Sequence, residues 1–317
     1  MFNHILALID DMSGTGFAFP HASAIALATK ARVTLLRLLE GPADARSQCA
    51  DPLEWQITKT QAAMQLRDTM HYLEQHHIPV GKELLECPQA RHILEFARQN
   101  SVNLVIVPKL GANLCDLGHQ LLAHTHLPTL IARGQSGARE DWTPALYRRI
   151  LVPLDGSRRA EHVLVLAAAL AQAFDAELVL AHVVCRPEML RCTPLTQADS
   201  ELANRVIERN HREATRYLKQ IASRLALNNK VRSHVLTDEH VARGLHRLID
   251  QEQIDLVVLS AHGYSGDPQW PYGSITGHII AYSPKPVLVV QDLPAPFSRD
   301  EAQTAVRSLY LQQASNI

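Results

Sequence analysis

Short, mainly apolar runs recur along the chain and alternate with longer amphipathic or alanine-rich segments. The runs at 5–9 and 32–39 enclose an alanine-rich segment at about 18–30. Apolar runs of this length predict strands that are buried on both faces of a sheet, and the segments between them predict helices. Alternation of strands with helices is typical of a parallel sheet that is covered by helices on both sides.

The same pattern occurs twice in the chain. Four segments of the first half match four segments of the second half in the same order, and the offset grows only from 145 to 158 residues. The pairs are "ILALID" at 5–10 with "ILVPLD" at 150–155, "ARVTLLRLL" at 31–39 with "AELVLAHVV" at 176–184, "ARHILEFARQNSVNLVIVP" at 90–108 with "ARGLHRLIDQEQIDLVVLS" at 242–260, and "LPTLIA" at 127–132 with "KPVLVV" at 285–290. Four ordered matches indicate a duplicated domain.

Each half is predicted to contain five strands. They lie at 5–9, 32–39, 82–86, 103–107 and 127–132, and at 150–154, 177–184, 231–236, 255–259 and 285–290. Helices are predicted at about 18–30, 89–99, 160–173 and 240–251, and around apolar residues at helical spacing: Met64, Met70 and Leu73, and Leu202, Val206, Tyr217, Leu218 and Ile221. The predicted fold class is α/β, with two tandem open parallel five-stranded sheets flanked by helices, similar to flavodoxin and Rossmann folds. A strand order of 2-1-3-4-5, or a relative of it, is expected to place the first and fourth strands side by side.

The duplication sets the predicted domain boundaries. We expect domains at 1–133 and 148–293, a polar Gly- and Pro-containing linker at 134–147, and a tail at 294–317 that the pattern does not place. The last strands of the two halves are candidates for pairing edge to edge. Such pairing would form an intramolecular pseudo-dimer, and a homodimer if two chains paired in the same way.

Charge and cysteine content narrow the class of protein. Charged residues make up 20% of the chain and the formal net charge is −1, which gives no basic field for nucleic acid or an anionic membrane. No apolar run is long enough for a transmembrane helix, and acidic residues follow the start too soon for a secretory signal. The five cysteines are scattered, which favours reduced thiols and a cytosolic location over a disulfide framework. Cys185 and Cys192 are a candidate pair under oxidising conditions, which their spacing alone does not establish.

A glycine-containing loop follows the fourth strand of the second half. In "SAHGYSGDPQWPYGSITGH" at 260–278, a strand, a glycine loop and a helix start occur together, as in many anion and phosphate sites. The alternative is a plain connection, which is the commoner use of glycine loops. Asp155 follows the first strand, so the expected strand order brings its carboxylate and the glycine loop to one crevice.

The second half resembles a universal stress protein domain, and the whole chain resembles a tandem member of that family within the nucleotide-binding α-hydrolase-like group. The family's nucleotide-binding branch has a glycine, two residues, a second glycine, nine residues, and then Gly-Ser or Gly-Thr. Here Gly263 and Gly273-Ser274 match, whereas Ser260 replaces the first glycine. The resemblance implies binding of ATP, or of ADP or AMP, with or without Mg²⁺. The implied contacts are Pro153, Asp155, Val183, Ser260, His262, Gly263, Gly273, Ser274 and Ile275.

Each implied contact has a physical reason and an alternative. Glycines let phosphate oxygens approach backbone N–H groups, and a helix N-terminus with a serine hydroxyl favours negative charge. Asp155 would repel phosphate and suits a ribose hydroxyl or an adenine amine; it could instead cap a turn. Ser274 could be a plain N-cap. We expect His262 to be a solvated loop residue and Trp270 to pack under the loop rather than stack on a ligand.

The first half lacks the motif. Asp10 retains the position of Asp155, and Gly111 and Gly118 align with Gly263 and Gly273, but only six residues separate them. The remaining substitutions are Pro108 for Ser260, Leu110 for His262 and His119 for Ser274. We expect no nucleotide in this half, which is interpreted as a structural partner.

Other chemistry is weakly indicated. The 17 histidines include "HTH" at 124–126 and "EQHH" at 74–77, but no zinc-site spacing, Walker lysine, GxSxG or GxGxxG motif occurs. No catalytic residue or metal ligand is predicted, and any ATP hydrolysis is expected to be slow. The alternatives are a nucleotide-free interaction module and, ranked lowest, an adenylating enzyme, since "DGSRRAEH" offers neither of the elements that such enzymes use.

Overall fold

The computed structural model describes residues 1–9, 18–39, 52–86, 89–110, 116–134, 144–187, 196–225, 227, 230–266 and 270–291. The strands are β1 His4–Ile9, β2 Arg32–Leu39, β3 Val80–Glu86, β4 Leu104–Leu110, β5 Thr129–Gly134, β6 Arg149–Pro153, β7 Glu177–Cys185, β8 Val231–Asp238, β9 Leu256–Ser260 and β10 Val287–Val290. The helices are α1 Ala18–Thr29, α2 Pro52–Gln75, α3 Ala90–Gln99, α4 Asp116–His124, α5 Arg158–Glu161, α6 Leu164–Ala173, α7 Gln197–Arg224, α8 Val241–Gln251 and α9 Ser274–Tyr282.

The strands form one ten-stranded sheet with the order β3-β2-β1-β4-β5-β10-β9-β6-β7-β8. Each half therefore has the order 3-2-1-4-5 rather than 2-1-3-4-5, and its five strands are parallel. The predicted α/β class, the parallel sheets and the neighbouring first and fourth strands are confirmed. The two five-stranded sets are not separate sheets, because β5 and β10 pair antiparallel and join them.

The pairing of β5 with β10 is the expected edge-to-edge contact within one chain. Thr129, Leu130 and Ile131 lie opposite residues 287–289. Both strands also have a parallel neighbour on their other side, β4 and β9 respectively. Neither β5 nor β10 therefore has an unpaired edge that could pair with a second chain. Any homodimer would need another surface.

Two apolar layers cover the sheet, one on each face. Along β1, Ile5, Ala7 and Ile9 belong to one layer and Leu6 and Leu8 to the other, which is the two-residue period of a strand buried on both sides. The first layer includes residues of α1, α2, α6 and α7, and the second includes residues of α3, α4, α8 and α9. The fold is thus a three-layer α/β/α arrangement.

Some predicted boundaries differ from the structure or fall outside the described residues. The helix predicted at 160–173 is two helices, α5 and α6, separated at 162–163. Asp10, Gly111, Cys192, residues 135–143 of the predicted linker and the tail at 294–317 lie outside the described residues. The domain boundaries therefore remain a prediction. In the part of the chain that the structure describes, no helix has the length and apolar character needed to cross a bilayer.

Candidate functional site

A cavity of about 680 Å³ lies at the carboxyl ends of the strands of the second half. Parallel α/β sheets bind ligands at this end, where the first and fourth strands lie side by side and their connections leave in opposite directions. All nine residues predicted for the site line the cavity: Pro153, Asp155, Val183, Ser260, His262, Gly263, Gly273, Ser274 and Ile275. Their roles toward a ligand remain a prediction.

One wall of the cavity is apolar. Ala181 and Val183 of β7 and Leu259 of β9 contribute to it, together with Val241 and Leu245 of α8. The α8 residues were missed by sequence reasoning. A signal in the sequence could have identified them. Val241 and Leu245 are four residues apart in the helix that follows β8, and residues at this spacing share one face of a helix.

The N-terminus of α9 forms another part of the cavity lining. Gly273 is the N-cap residue and supplies no side-chain hydrogen bond, and the first helical bond is the 2.9 Å contact from Gly277 N to Gly273 O. The backbone N–H groups of Ser274, Ile275 and Thr276 have no acceptor among the described residues. They provide unsatisfied donors at the positive end of a helix. Ser274 is the first helical residue, so its interpretation as a plain N-cap is wrong.

Gly273 is not required by the packing of the protein itself. A β-carbon at this position would lie 3.7 Å from the Ala261 carbonyl oxygen, which is an ordinary contact, and the backbone has φ −73° and ψ 167°. The N–H of Gly273 is not open to a ligand, because it donates to Ala261 O at 2.8 Å. Among the described residues at this helix end, the donors that are open to a ligand are the next three.

Asp155 supports the glycine loop. Its Oδ1 accepts from Ser157 N at 2.9 Å and its Oδ2 accepts from Tyr264 N at 2.6 Å. Burial acts to raise the pKa of this carboxyl, but the hydrogen bonds from Ser157 and Tyr264 outweigh it and hold the pKa below its usual value. The turn-capping alternative for Asp155 is thus observed, and each oxygen keeps acceptor capacity for a further donor.

Gly263 is needed because Asp155 packs against it. A β-carbon on Gly263 would lie only 2.3 Å from Asp155 Oδ2. The Asp155 carboxylate alone therefore requires a glycine at this position; the approach of a phosphate to Gly263 remains a prediction.

His262 is an internal anchor of the loop. Its side chain is buried, and its Nε2 donates to the Trp270 carbonyl oxygen at 2.7 Å. Gly266 packs on the same ring, since a β-carbon there would lie 2.6 Å from His262 Cβ. The prediction of a solvated histidine is wrong. The predicted packing of Trp270 under the loop is also wrong, because that side chain is 68% exposed at the cavity.

Ser260 brings a hydroxyl group to the end of β9. The residue is 7% exposed, and its Oγ has no hydrogen-bond partner among the described residues. Its carbonyl oxygen accepts from the Thr276 hydroxyl at 2.9 Å, which ties the strand end to the first turn of α9.

The charge of the cavity is low. Asp155 is the only Asp or Glu among the described lining residues, and no Lys or Arg is among them. Arg159 lies close by, with Nη1 donating to the Gly266 carbonyl oxygen at 2.9 Å. No group of three or more potential metal-ligating side chains occurs within the described ranges.

The site of the first half is organised differently. Because α4 begins at Asp116, the counterpart of Ser274 is Asp116 and not His119; Gly118 lies inside the helix. His119 Nδ1 instead lies 3.0 Å from the Tyr272 hydroxyl of the second half. The sequence alignment of the two loops was therefore wrong after Gly111, because it assigned too many residues to the first loop.

Comparison with known proteins identifies relatives of both halves. The sequence profile of the universal stress protein family matches residues 1–133 and 146–291. A universal stress protein of Methanocaldococcus jannaschii is 26% identical over 159 residues, which are 46% of this chain and 96% of that protein.

Two solved structures share the fold over nearly the whole chain. A universal stress protein of Archaeoglobus fulgidus has a TM-score of 0.63 at 15% identity and covers 91% of this chain and 98% of its own. A functionally unknown protein of Pseudomonas aeruginosa has a TM-score of 0.62 at 17% identity and covers 93% of each chain.

Proposed function

Because this chain belongs to the universal stress protein family, we propose that its second half binds ATP or a related adenine nucleotide. The protein would serve a regulatory or stress-response role. We place that role in the cytosol because the five cysteines are scattered and do not form a disulfide pattern.

The observation that carries the proposal is the uncapped N-terminus of α9 at the cavity. The three consecutive N–H groups of Ser274, Ile275 and Thr276 donate no hydrogen bond to any described residue. The N-cap residue before them is Gly273, although the surrounding packing leaves room for a side chain there. A Ser, Asp or Asn at the N-cap would satisfy one of these donors internally. A glycine at the N-cap leaves these N–H groups free to bind an anion, and a phosphate group is a suitable acceptor for them.

The rest of the cavity suits the other parts of the nucleotide. The apolar wall of Val183, Val241 and Leu245 offers a surface for a flat adenine ring. Asp155 lines the cavity and contacts the glycine loop, and its remaining acceptor capacity suits a ribose hydroxyl or an adenine amine. The negative charge of Asp155 would repel a phosphate group, which argues against a phosphate next to this residue.

We expect at most slow hydrolysis. Asp155 is the only carboxylate among the described lining residues, and both of its oxygens already accept hydrogen bonds. A rapid phosphoryl transfer normally uses positioned metal ligands and a group that orients the attacking water. Any Mg²⁺ would therefore be held mainly by the phosphates of the nucleotide.

Gly273→Asn tests this proposal. The asparagine would cap α9 without adding charge, so the free energy of unfolding should rise by a few tenths of a kcal/mol, whereas nucleotide affinity should fall at least about tenfold. Native mass spectrometry of freshly purified protein measures bound nucleotide, calorimetry measures affinity, and thermal unfolding measures stability.

Gln89→Asn is the matched control. Gln89 is the N-cap residue of α3 and makes no side-chain capping bond, so an asparagine there should stabilise that helix by at least as much and leave nucleotide binding unchanged. Wild-type protein that carries no nucleotide and binds none at millimolar concentration would contradict the proposal. That result would favour the alternative, a nucleotide-free interaction module whose halves are joined through β5 and β10.

A further inference from the structure

Two histidine rings face each other between α8 and α9, on the surface of the second half. His246 lies in α8 and His278 in α9, and His246 Nε2 is 3.4 Å from His278 Nδ1. That separation exceeds the usual hydrogen-bond range of about 2.7–3.2 Å, so the contact is a poor hydrogen bond. His246 is partly buried and His278 is exposed, and neither is among the described residues that line the cavity. The pair is therefore a separate feature that ions in solution can reach.

The first half lacks this pair. The repeat at 90–108 and 242–260 places Leu94 at the position of His246, and the starts of α4 and α9 place Gln120 at the position of His278. The corresponding helices thus fold in the first half without an imidazole at either position. The duplicated fold does not require the two histidines, so their juxtaposition needs another explanation.

The separation of the two nitrogens fits one metal geometry. Zinc binds histidine nitrogen at about 2.0–2.1 Å with four ligands at tetrahedral angles, so two of its nitrogen ligands lie about 3.3–3.4 Å apart. In a square-planar site, which Cu²⁺ and Ni²⁺ prefer, neighbouring nitrogens at the same bond length would lie about 2.8–3.0 Å apart. The observed 3.4 Å matches the tetrahedral value.

The groups around the pair prepare it for a cation. Burial and the neighbouring His278 lower the pKa of His246, and Arg133 acts in the same direction, whereas Asp250 raises it. The His246 ring is therefore neutral near pH 7, as a metal ligand must be. The carboxylate of Asp250 opposes the charge of Arg133. The ring of Tyr282 lies 4.7 Å from that of His278, centroid to centroid, and restricts its orientation.

We propose that His246 and His278 bind one zinc ion between α8 and α9, with water molecules as the remaining ligands. Two protein ligands make this site weaker than a structural zinc site, which has four. The ion would cross-link two helices that also line the cavity, since Leu245 and Gly277, the neighbours of the two histidines, are lining residues. This inference does not depend on the proposed nucleotide binding.

Calorimetric titration of the intact chain with Zn²⁺ tests the inference. The chain has 17 histidines, so the variants and not the total zinc uptake identify the site. His246→Gln and His278→Gln should each weaken one zinc equivalent at least about tenfold. The double variant should lose no further equivalent, because a single ion uses both rings. Mg²⁺, which prefers oxygen ligands, should not compete for this site.

His71→Gln is the matched control. His71 is an exposed helical histidine whose Nε2 lies 2.9 Å from the side-chain nitrogen of Gln75 rather than from a second imidazole. Its replacement should leave the zinc equivalent of the α8–α9 pair unchanged.

Thermal unfolding separates a zinc site from a purely structural contact. Excess Zn²⁺ should raise the melting temperature of the wild type by about 2 °C or more relative to protein in EDTA, because the ion binds the folded pair. Either glutamine variant should lose this increase. In EDTA the variants should melt close to the wild type, since the contact that they lose is a poor hydrogen bond.

Three results would overturn the inference. They are a wild type that binds no zinc, glutamine variants that bind it with wild-type stoichiometry and affinity, and a loss in His71→Gln as large as that in the two variants. X-ray absorption of the zinc complex adds a direct check, for which we expect two imidazole nitrogens at about 2.0–2.1 Å. None of these results bears on whether the cavity binds a nucleotide, which the Gly273→Asn experiment measures separately.

Discussion

The two halves of this protein share a strand order but differ where the fourth strand connects to the next helix. In the first half, residues 111–115 connect β4 to α4; in the second half, residues 261–273 connect β9 to α9. The longer connection holds the His262 anchor, the contact between Asp155 and Gly263, and the glycine that leaves α9 uncapped. This connection and the N-terminus of α9 therefore add the polar part of the cavity lining to an apolar wall that the strands and α8 supply.

Two side chains of the first half donate hydrogen bonds to the C-terminus of α9, the helix whose N-terminus lines the cavity. Lys109 Nζ donates to the carbonyl oxygens of Ile280 and Ala281 at 2.5 and 3.0 Å, and Arg133 donates to Ile280 O at 2.7 Å. These cations lie at the negative C-terminus of α9. The reverse contact is weaker, since Gln291 donates to Leu122 O at 3.0 Å and Ala261 occupies the position that matches Lys109. The first half thus binds the C-terminus of α9, whereas the second half leaves the N-terminus of the same helix open to the cavity.

The largest effect should come from the junction between the halves. Leu130 and Leu288 lie directly opposite each other on β5 and β10, and both are fully buried. Each change to alanine should lower the free energy of unfolding by about 2–5 kcal/mol. The double variant should lose less than the sum, because the two side chains share one contact. Urea unfolding measures all three variants.

Leu202→Ala is the control for the junction. Leu202 lies on α7 and is 52% exposed, so its loss should change stability by no more than about 0.5 kcal/mol. Strictly additive effects of the Leu130 and Leu288 changes would show that the two halves do not stabilise each other through this pair.

An intermediate effect is expected at the cavity. Gly263→Ala should force the Asp155 carboxylate away from its donors and lower stability by about 1.5–3 kcal/mol, because hydrogen bonds to a charged group are lost. In an Asp155→Ala background the same change should have little effect. Urea unfolding of this double-mutant cycle measures the coupling.

Gly81→Ala in the first half is the matched glycine change. A β-carbon there would lie 3.5 Å from Thr34 Oγ1, an ordinary contact, so we expect no comparable loss. Equal losses at Gly81 and Gly263 would refute the steric explanation for the glycine at the cavity.

The smallest effect is a pH dependence at the junction. Burial and the neighbouring Arg133 lower the pKa of Lys109 to about 8, against a usual value of 10.5. Between these values the unfolded chain binds more protons at this residue than the folded chain, so the contribution of Lys109 to stability rises with pH and is lowest below pH 8. We expect the stability difference between wild type and Lys109→Met to shift in favour of wild type from pH 7 to pH 9.5, as measured by urea unfolding. A difference that is constant or moves in the other direction would show that Lys109 is not desolvated at the junction.

Much of the fold was predictable from sequence. Strand patterns and repeats arise from local spacing, so β1, β6 and the neighbouring first and fourth strands were anticipated. The nine predicted site residues, which do line the cavity, were implied by the family resemblance, and other lining residues such as Val241 and Leu245 were not predicted. The errors concern groups whose partners are distant in sequence. Nothing near His262 signals that its ring donates to Trp270 O, and nothing near Gly263 signals that Asp155 packs against it from a position 108 residues earlier.

The sequence by itself determined the duplication, the α/β class and the chemistry available at the end of each strand, because these depend on residue type and short-range periodicity. Only the tertiary structure decided which donors remain open. The Gly273 N–H donates to Ala261 O, whereas the next three N–H groups and the buried Ser260 hydroxyl have no partner within the described ranges. Hydrogen-bond satisfaction depends on which groups the fold brings within about 3 Å of one another, and no local pattern of residues specifies that.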